Sequence, residues 1–536
     1  MPTQTIAEAI VDRLAARGVK RMFGVPGGDC NLDMIEAGAR KGVEFVLTRG
    51  ETAAAIMASV SAELTGVPGV AMTTRGPGLA SVANGAAYAT LDRAPLVIIA
   101  DNYETGLDHV SHQRIDQAAL LRPVLKAESC LASEDPVAEI DALLDVASAQ
   151  PPGAVYLEIT GERVRSNAPA TRAVAAAPGK VSTSADTKSI EAAGKLLSQA
   201  ARPVIIAGLQ ARSASAAKAL RNLAARWKCP VLFTYKAKGA VADTDPCAVG
   251  CYIDGAAERP VIEASDLIVL FGFDPIEGPA TKWRFDKPTI ELTEHVFDYP
   301  LLTANVSIVG DIAQSAERLA GFRTSPAYEV KQLERMKSDI RARAAAKGGV
   351  RISPQDVVDA AWETLPHDAR IAVDAGAHML PVLHLWQTPD PNGVLVSRGL
   401  ATMGFALPAA IGSALTEPER PVIAFTGDGG LMMCASELAT AAQNNCKLIV
   451  VVFNDSCLTL IEAKQRRRQL PNAGVNLSDV DFASVARGYG CAGFRVESPD
   501  ELKPALLAAL AEDGPAVVDI VVDPSPYHEQ IISLRG

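Results

Sequence analysis

Residues 422–455 read VIAFTGDGGLMMCASELATAAQNNCKLIVVVFND, and this stretch decides the fold. The run 422–427 is apolar and β-branched, as a strand buried on both faces is, and it ends in a Gly-rich turn. Residues 431–445 carry helical spacing, and 447–455 read as a second buried strand. A strand–helix–strand unit is parallel, so both strands end on the same edge of the sheet. Asp428 follows the first strand and Asn454 closes the second, 26 residues later. If the strands are neighbours, a carboxylate and an amide oxygen reach one point. These are hard oxygen donors, the partial shell that Mg²⁺ prefers when phosphates complete it. Gly427, Gly429 and Gly430 let the backbone approach a phosphate, and a helix starting near Leu431 turns free N–H groups toward it. A tight turn is the plain competitor for GDG alone. It does not account for an Asn at the end of the next strand.

The same rhythm extends both ways. VEFVL (43–47), GVAMT (69–73), PLVIIA (95–100), PVIIAGL (203–209) and LIVLFGF (267–273) are short apolar runs separated by Ala-rich amphipathic segments. Residues 166–186, rich in Ala, Pro, Ser and Thr, read as a linker. A charged helical stretch at 329–347 precedes Gly348-Gly349 and a restart at Ile352-Ser353-Pro354. The prediction is an α/β protein with three doubly wound parallel-sheet domains, at 1–165, 187–340 and 350–536. No internal repeat is visible in the sequence.

Composition removes several function classes. The 536 residues are 48% hydrophobic and 21% charged, which excludes general disorder. A formal charge of −11 without a long basic block disfavours nucleic acid and anionic membrane as partners. Arg466-Arg467-Arg468 reads as a solvated helix face. The nine scattered cysteines, with no CxxC pair, read as reduced thiols of a cytoplasmic protein. The N-terminal segment has helical periodicity at Ile6, Ile10 and Leu14 and no signal core, and the apolar runs are far below the roughly 20 residues that span a bilayer.

The segment 427–455 resembles the motif of thiamine-diphosphate enzymes, GDG followed at a set distance by Asn. The likeness extends over nearly the whole chain and is greatest to the acetolactate-synthase-like branch. It implies a pyrimidine-binding N-terminal domain, a central Rossmann-like domain and a C-terminal diphosphate-binding domain. It also implies that Asp428, Asn454 and the main-chain carbonyl of Ser456 ligate Mg²⁺, with Gly429 and Gly430 against the diphosphate of thiamine diphosphate. SRGLATMGFALPAAIG (397–412) is similar to the segment in which a Met props the cofactor into a V shape, here Met403, with backbone contacts at Ala401. DAGAHML (374–380) resembles the diphosphate loop, which makes His378 a diphosphate contact, with Ala377 where Gln is usual. Leu458 and Thr459 then lie near the cofactor in a pocket wall formed by 457–465.

In the N-terminal block, VEFVLTRGETAAAIMA (43–58) puts Glu51 in the first turn of a helix. Acids there favour the helix dipole by about 0.3–1 kcal/mol. The resemblance instead makes Glu51 the glutamate that hydrogen-bonds the aminopyrimidine, a role that needs a carboxylate of raised proton affinity. Gly50 stands where the branch often has His. MTTRGPGLASVANG (72–85) is similar to a GPG loop facing the active site, with Arg75 where Ser is usual. Gln113 and His112, in VSHQRIDQ (110–117), fall where relatives carry polar active-site residues. The middle block lacks the stretch that flavin-binding relatives show near 272–280, which implies no FAD.

The expected reaction is Mg²⁺-dependent decarboxylation of a 2-oxo acid, with carboligation to a second carbonyl. Simple decarboxylation, and C–C cleavage of the benzaldehyde-lyase or 2-hydroxyacyl-CoA-lyase type, stay open. Because Glu51 and Asp428 fall in different domains, the resemblance implies that they meet between subunits of a homodimer or homotetramer. A nicotinamide dehydrogenase is the reading from another class. Gly76-x-Gly78-x-x-Ser81 followed by Asp101 imitates a dinucleotide fingerprint, but Pro77 removes a needed N–H and Ser81 replaces the third glycine. A non-catalytic scaffold would have no chemical need for Glu51, Asp428 and Asn454 together.

Overall fold

A computed structural model describes residues 4–104, 106–107, 109–169, 184–279, 282–297, 301–323, 325–346 and 348–536. The expected linker at 166–186 lies mostly outside these residues, as does position 280 of the segment weighed for flavin.

Eighteen strands are described. The first six are β1 (Arg21–Gly24), β2 (Glu44–Leu47), β3 (Gly69–Thr73), β4 (Leu96–Asp101), β5 (Ala127–Ser129) and β6 (Ala154–Ile159). The next six are β7 (Pro203–Ala207), β8 (Val231–Phe233), β9 (Ala248–Cys251), β10 (Leu267–Phe271), β11 (Thr289–Thr293) and β12 (Val306–Val309). The last six are β13 (Arg370–Val373), β14 (Val394–Val396), β15 (Val422–Gly427), β16 (Leu448–Asn454), β17 (Ala492–Val496) and β18 (Ala516–Val521). They form three six-stranded sheets ordered β2-β1-β3-β4-β6-β5, β12-β11-β10-β7-β8-β9 and β14-β13-β15-β16-β18-β17. The paired strands run parallel throughout, for example at the centres of the first and third sheets. Helices cover the sheets, which is why the central strands are apolar along their length: every residue of β3, β4, β7, β10 and β16 is buried.

The first and third sheets share one strand order, second-first-third-fourth-sixth-fifth. The chain therefore contains a repeat of topology that its sequence does not display, because a strand order is satisfied by many apolar side chains. The helices have local causes. Ile6–Ala16 starts on a capping box of Thr5 and Glu8. Pro354–Thr364 starts on Ser353 with proline at its first position.

The described chain divides into two compact units. One holds Met1–Val181, Leu407–Glu419 and Cys434–Cys446; the other holds Ser182–Ala406, Arg420–Met433 and Lys447–Gly536. No helix among the described residues is long and apolar enough to cross a membrane.

Candidate active site

In the larger unit, β15 and β16 are adjacent, with Gly427 paired to Phe453, so the residues just beyond them share one edge of the sheet. The segment after β15 differs from the single helix expected at 431–445. A short helix, Asp428–Met432, begins at Asp428 itself, the chain turns through 433–436, and a second helix runs Glu437–Gln443. No Pro or Gly lies at the break, so the sequence carries no signal for it.

At this edge a cavity of about 330 Å³ opens. Its floor is Gly427, Asp428, Gly429 and Gly430; one wall is Ala375–Met379 and another is Cys457–Ile461, with Ala401 and Met403 between. Asp428 is buried. Its Oδ1 accepts from the Gly429 N–H at 2.6 Å, and its Oδ2 is buried with no hydrogen-bond partner. Burial pushes its pKa up to about 6, opposed by main-chain N–H groups of Gly429 and of 455–457. Those contacts bring the turn after β16 onto Asp428.

The donor opposite Asp428 is not the one expected. Asn454, the last residue of β16, donates its amide to Asp519 Oδ1 at 2.9 Å and to the Val480 carbonyl at 3.0 Å. The Ser456 carbonyl accepts from the Leu477 N–H at 2.8 Å. Both residues line a separate depression, which Asp455 also reaches, whereas of these four only Asp455 and Cys457 line the cavity with Asp428. The residues that share the cavity with Asp428 are thus one position on from the expected Asn454 and Ser456. The strand ends at Asn454, and Ser456 has φ +54°, so the facing of 454–457 is set by this turn and not by strand alternation. Burial first, and then the neighbouring Asp428, pushes the Asp455 pKa up to about 7. Its oxygens accept from Cys457 N–H at 3.1 Å and Thr459 Oγ1 at 2.6 Å. Thr459 is therefore a support of Asp455, and Leu458 lines the cavity with its N–H on the Val475 carbonyl.

His378 lies in the wall, buried and stacked on Phe453. Burial lowers its pKa to about 3, so the ring is neutral, and its Nε2 is buried without a partner. Ala401 has φ +54°, a left-handed turn, and Met403 lies against the floor: a Cβ on Gly429 would come within 3.5 Å of its Cε. A Cβ on Gly429 would also meet Leu458 Cδ2 at 2.7 Å, and one on Gly430 would meet Asp374 Oδ2 at 2.4 Å. Asp374, which opens the DAGAHML segment and is not among the expected site residues, accepts from Gly404 N–H, Phe405 N–H and Thr426 Oγ1 at 3.0–3.3 Å. It ties the Met403 loop to β15. An unpartnered carboxylate oxygen, an unpartnered imidazole nitrogen and a side-chain-free floor fit a metal-bound diphosphate.

In the smaller unit, Glu51 opens the helix Glu51–Thr65 behind Gly50. The carboxyl is half-buried and burial raises its pKa. Oε1 would lie 3.1 Å from a Cβ on Gly78, so the GPG loop packs directly on it. Glu437 is buried and accepts from the Arg49 N–H at 3.0 Å, holding the turn that leads into Glu51. Gln117, also buried, accepts from the Gly76 N–H at 2.9 Å and donates to the Asp101 carbonyl and Tyr156. His112 and Gln113 are exposed. Gln113 has φ +57°, and its carbonyl would lie 2.5 Å from a Cβ on Gly76, so its main chain, at least, abuts the loop.

The dinucleotide alternative does not survive this arrangement. Asp101, the would-be ribose ligand, is 1% exposed and accepts from the Arg75 main chain and side chain, both at 2.7 Å.

Comparison with known proteins agrees with the geometry. Residues 4–120 match the thiamine pyrophosphate enzyme N-terminal TPP binding domain, 190–319 the central domain, and 374–520 the C-terminal TPP binding domain. An acetolactate synthase of Bacillus subtilis is 29% identical, over 96% of this chain and 93% of its own length. The acetolactate synthase large subunit of Haemophilus influenzae is 30% identical, over 99% and 96%. A Pseudomonas aeruginosa protein named "Probable 2-ketoarginine decarboxylase AruI" is 28% identical, over 97% and 94%. Three domain matches on three parallel sheets make this chain a member of the thiamine pyrophosphate enzyme family, a thiamine-diphosphate-dependent enzyme of the acetolactate-synthase-like kind.

Proposed function

We propose that the chain catalyses Mg²⁺-dependent decarboxylation of a 2-oxo acid with carboligation to a second carbonyl. The observation that carries this reading is the meeting of Asp428 and Asp455 over a glycine floor, beside the unpartnered nitrogen of His378. In this reading Asp428, Asp455 and the main-chain carbonyl of Cys457 would hold Mg²⁺, which would supply charge to bind the diphosphate. Gly429, Gly430 and His378 receive the diphosphate oxygens, and Met403 with Ala401 shapes the space above them. When bound, thiamine diphosphate supplies the electron sink that lets a 2-oxo acid lose CO₂. Glu51 holds and releases a proton at its half-buried carboxyl, whose raised proton affinity suits that exchange. His112 and Gln113 belong to an exposed loop and are the polar residues this reading assigns to the substrate. The reading includes self-association into a homodimer or homotetramer, and no FAD.

Decarboxylation without ligation is the second reading, favoured by the relative named as a decarboxylase. Titrating the purified protein with thiamine diphosphate, with and without Mg²⁺, and following intrinsic fluorescence tests the cofactor site. Saturable, Mg²⁺-dependent binding is expected, and no binding refutes the reading. CO₂ release and product analysis over a 2-oxo acid panel then separate a 2-hydroxy ketone or acid from a plain aldehyde.

A further inference from the structure

The cavity is not electrically uniform. Its acids, Asp428 and Asp455, sit together at the strand tips. Three cations also line it, from different elements: Arg398 on the loop before Met403, Lys464 on the helix Thr459–Arg467, and Arg535 on the C-terminal helix Ser525–Arg535. Arg398 donates to the Glu277 carbonyl at 3.2 Å. Lys464 and Arg535 are exposed, and among the described residues neither side chain has a hydrogen bond or ion pair. Two unpaired cations facing one cavity, in a chain with eleven more acids than bases, ask for an anion that the protein does not provide.

The position of Lys464 says which anion. Leu460 and Ile461 line the same cavity one turn earlier, so the cavity face of this helix is apolar and then cationic. Four residues of helix advance about 6 Å, the span of a few carbon atoms. A substrate reacting at the cofactor held over this floor would lay its carbon chain along Leu460 and present its far end to Lys464.

Building on the thiamine-diphosphate reading above, we infer that the donor substrate is a 2-oxo acid carrying a second, distal anionic group, a carboxylate or sulfonate, held by Lys464 with help from Arg535. The test compares 2-oxopentanedioate and 3-sulfopyruvate with the monoanions 2-oxopentanoate and 2-oxobutanoate, on the wild-type holoenzyme and on Lys464→Met and Lys464→Arg. Thiamine diphosphate affinity is measured separately by fluorescence.

A higher kcat/KM for at least one dianion is expected in the wild type. In Lys464→Met the dianion-over-monoanion ratio should fall about 10- to 100-fold, the range a charge-assisted hydrogen bond supports, carried by KM. Lys464→Arg should restore most of it. An equal loss for both substrate classes would assign Lys464 to the carboxylate common to all 2-oxo acids and overturn the inference. A matching loss of cofactor affinity would assign it to the diphosphate and overturn it too. A wild type that binds thiamine diphosphate but prefers monoanions refutes the inference alone; one that binds no thiamine diphosphate refutes the reading beneath it.

Discussion

Asp428 and Asp455 project into one cavity from the ends of two adjacent parallel strands, while Asn454, between them in sequence, is turned to Asp519. The separation gives two neighbouring positions different jobs, and the two can be told apart by substitution.

In the proposed site, removing Asp455 would take away a charged donor to Mg²⁺, whereas removing Asn454 would take away a support behind it. Asp455→Ala should weaken Mg²⁺-dependent cofactor binding by well over the roughly 10- to 100-fold that supporting residues of metal sites typically cost. Asn454→Ala should stay within that range. Fluorescence titration of both variants decides; the reverse ranking would restore Asn454 as the ligand.

Asp519 is fully buried and accepts from Asn454, from the Phe482 N–H at 2.9 Å and from Arg495 at 2.8 Å. Asp519→Ala takes the acceptor from the Phe482 N–H and one of several acceptors from Asn454 and from Arg495, which keep the Val480 carbonyl, Asp479 and Glu497. A loss of about 1–3 kcal/mol is expected, the cost of leaving a buried donor unmade, read as a drop in apparent Tm. Asp519→Asn, which keeps the shape and one acceptor oxygen, should lose less.

Glu51→Gln preserves shape and hydrogen bonding while removing the exchangeable proton. Turnover should fall at least about 100-fold, the scale of positioned acid–base catalysis, with cofactor affinity nearly unchanged. Undiminished turnover would take Glu51 out of its assigned role.

Glu277 lies at the end of the second sheet, fully buried, with its Oε2 accepting from the Leu209 N–H at 2.6 Å. Burial pushes its pKa up to about 7 from 4.5. A raised folded-state pKa means the native protein holds the proton that the unfolded chain gives up above pH 4.5. The stability contribution is complete below 4.5 and is lost as pH rises through 7, to an extent of about 3 kcal/mol. Glu277→Gln should therefore flatten this part of the stability profile between pH 5 and 8. Thermal scans across that range check it, and an unchanged slope would refute the assignment.

The strands were legible because a parallel sheet covered on both faces needs uninterrupted apolar runs: GVAMT at 69–73 coincides with β3, and PVIIAGL at 203–209 contains β7, which stops two residues earlier. The glycines at 427, 429 and 430 and the place of Glu51 at a helix start were also written in local residue types, although the helix begins at Asp428 and not near Leu431. Tertiary structure decided what local pattern leaves open. Whether 454 or 455 faces the cavity depends on where β16 stops pairing and on Asp519 from a strand some 65 positions away. The break at 433–436, the anchoring of the Met403 loop by Asp374 and the gathering of Lys464 with Arg535 likewise depend on contacts distant in sequence. Periodicity tells a segment which of its faces is apolar, but the facing of a single side chain at a strand end is fixed by the neighbours it meets after folding.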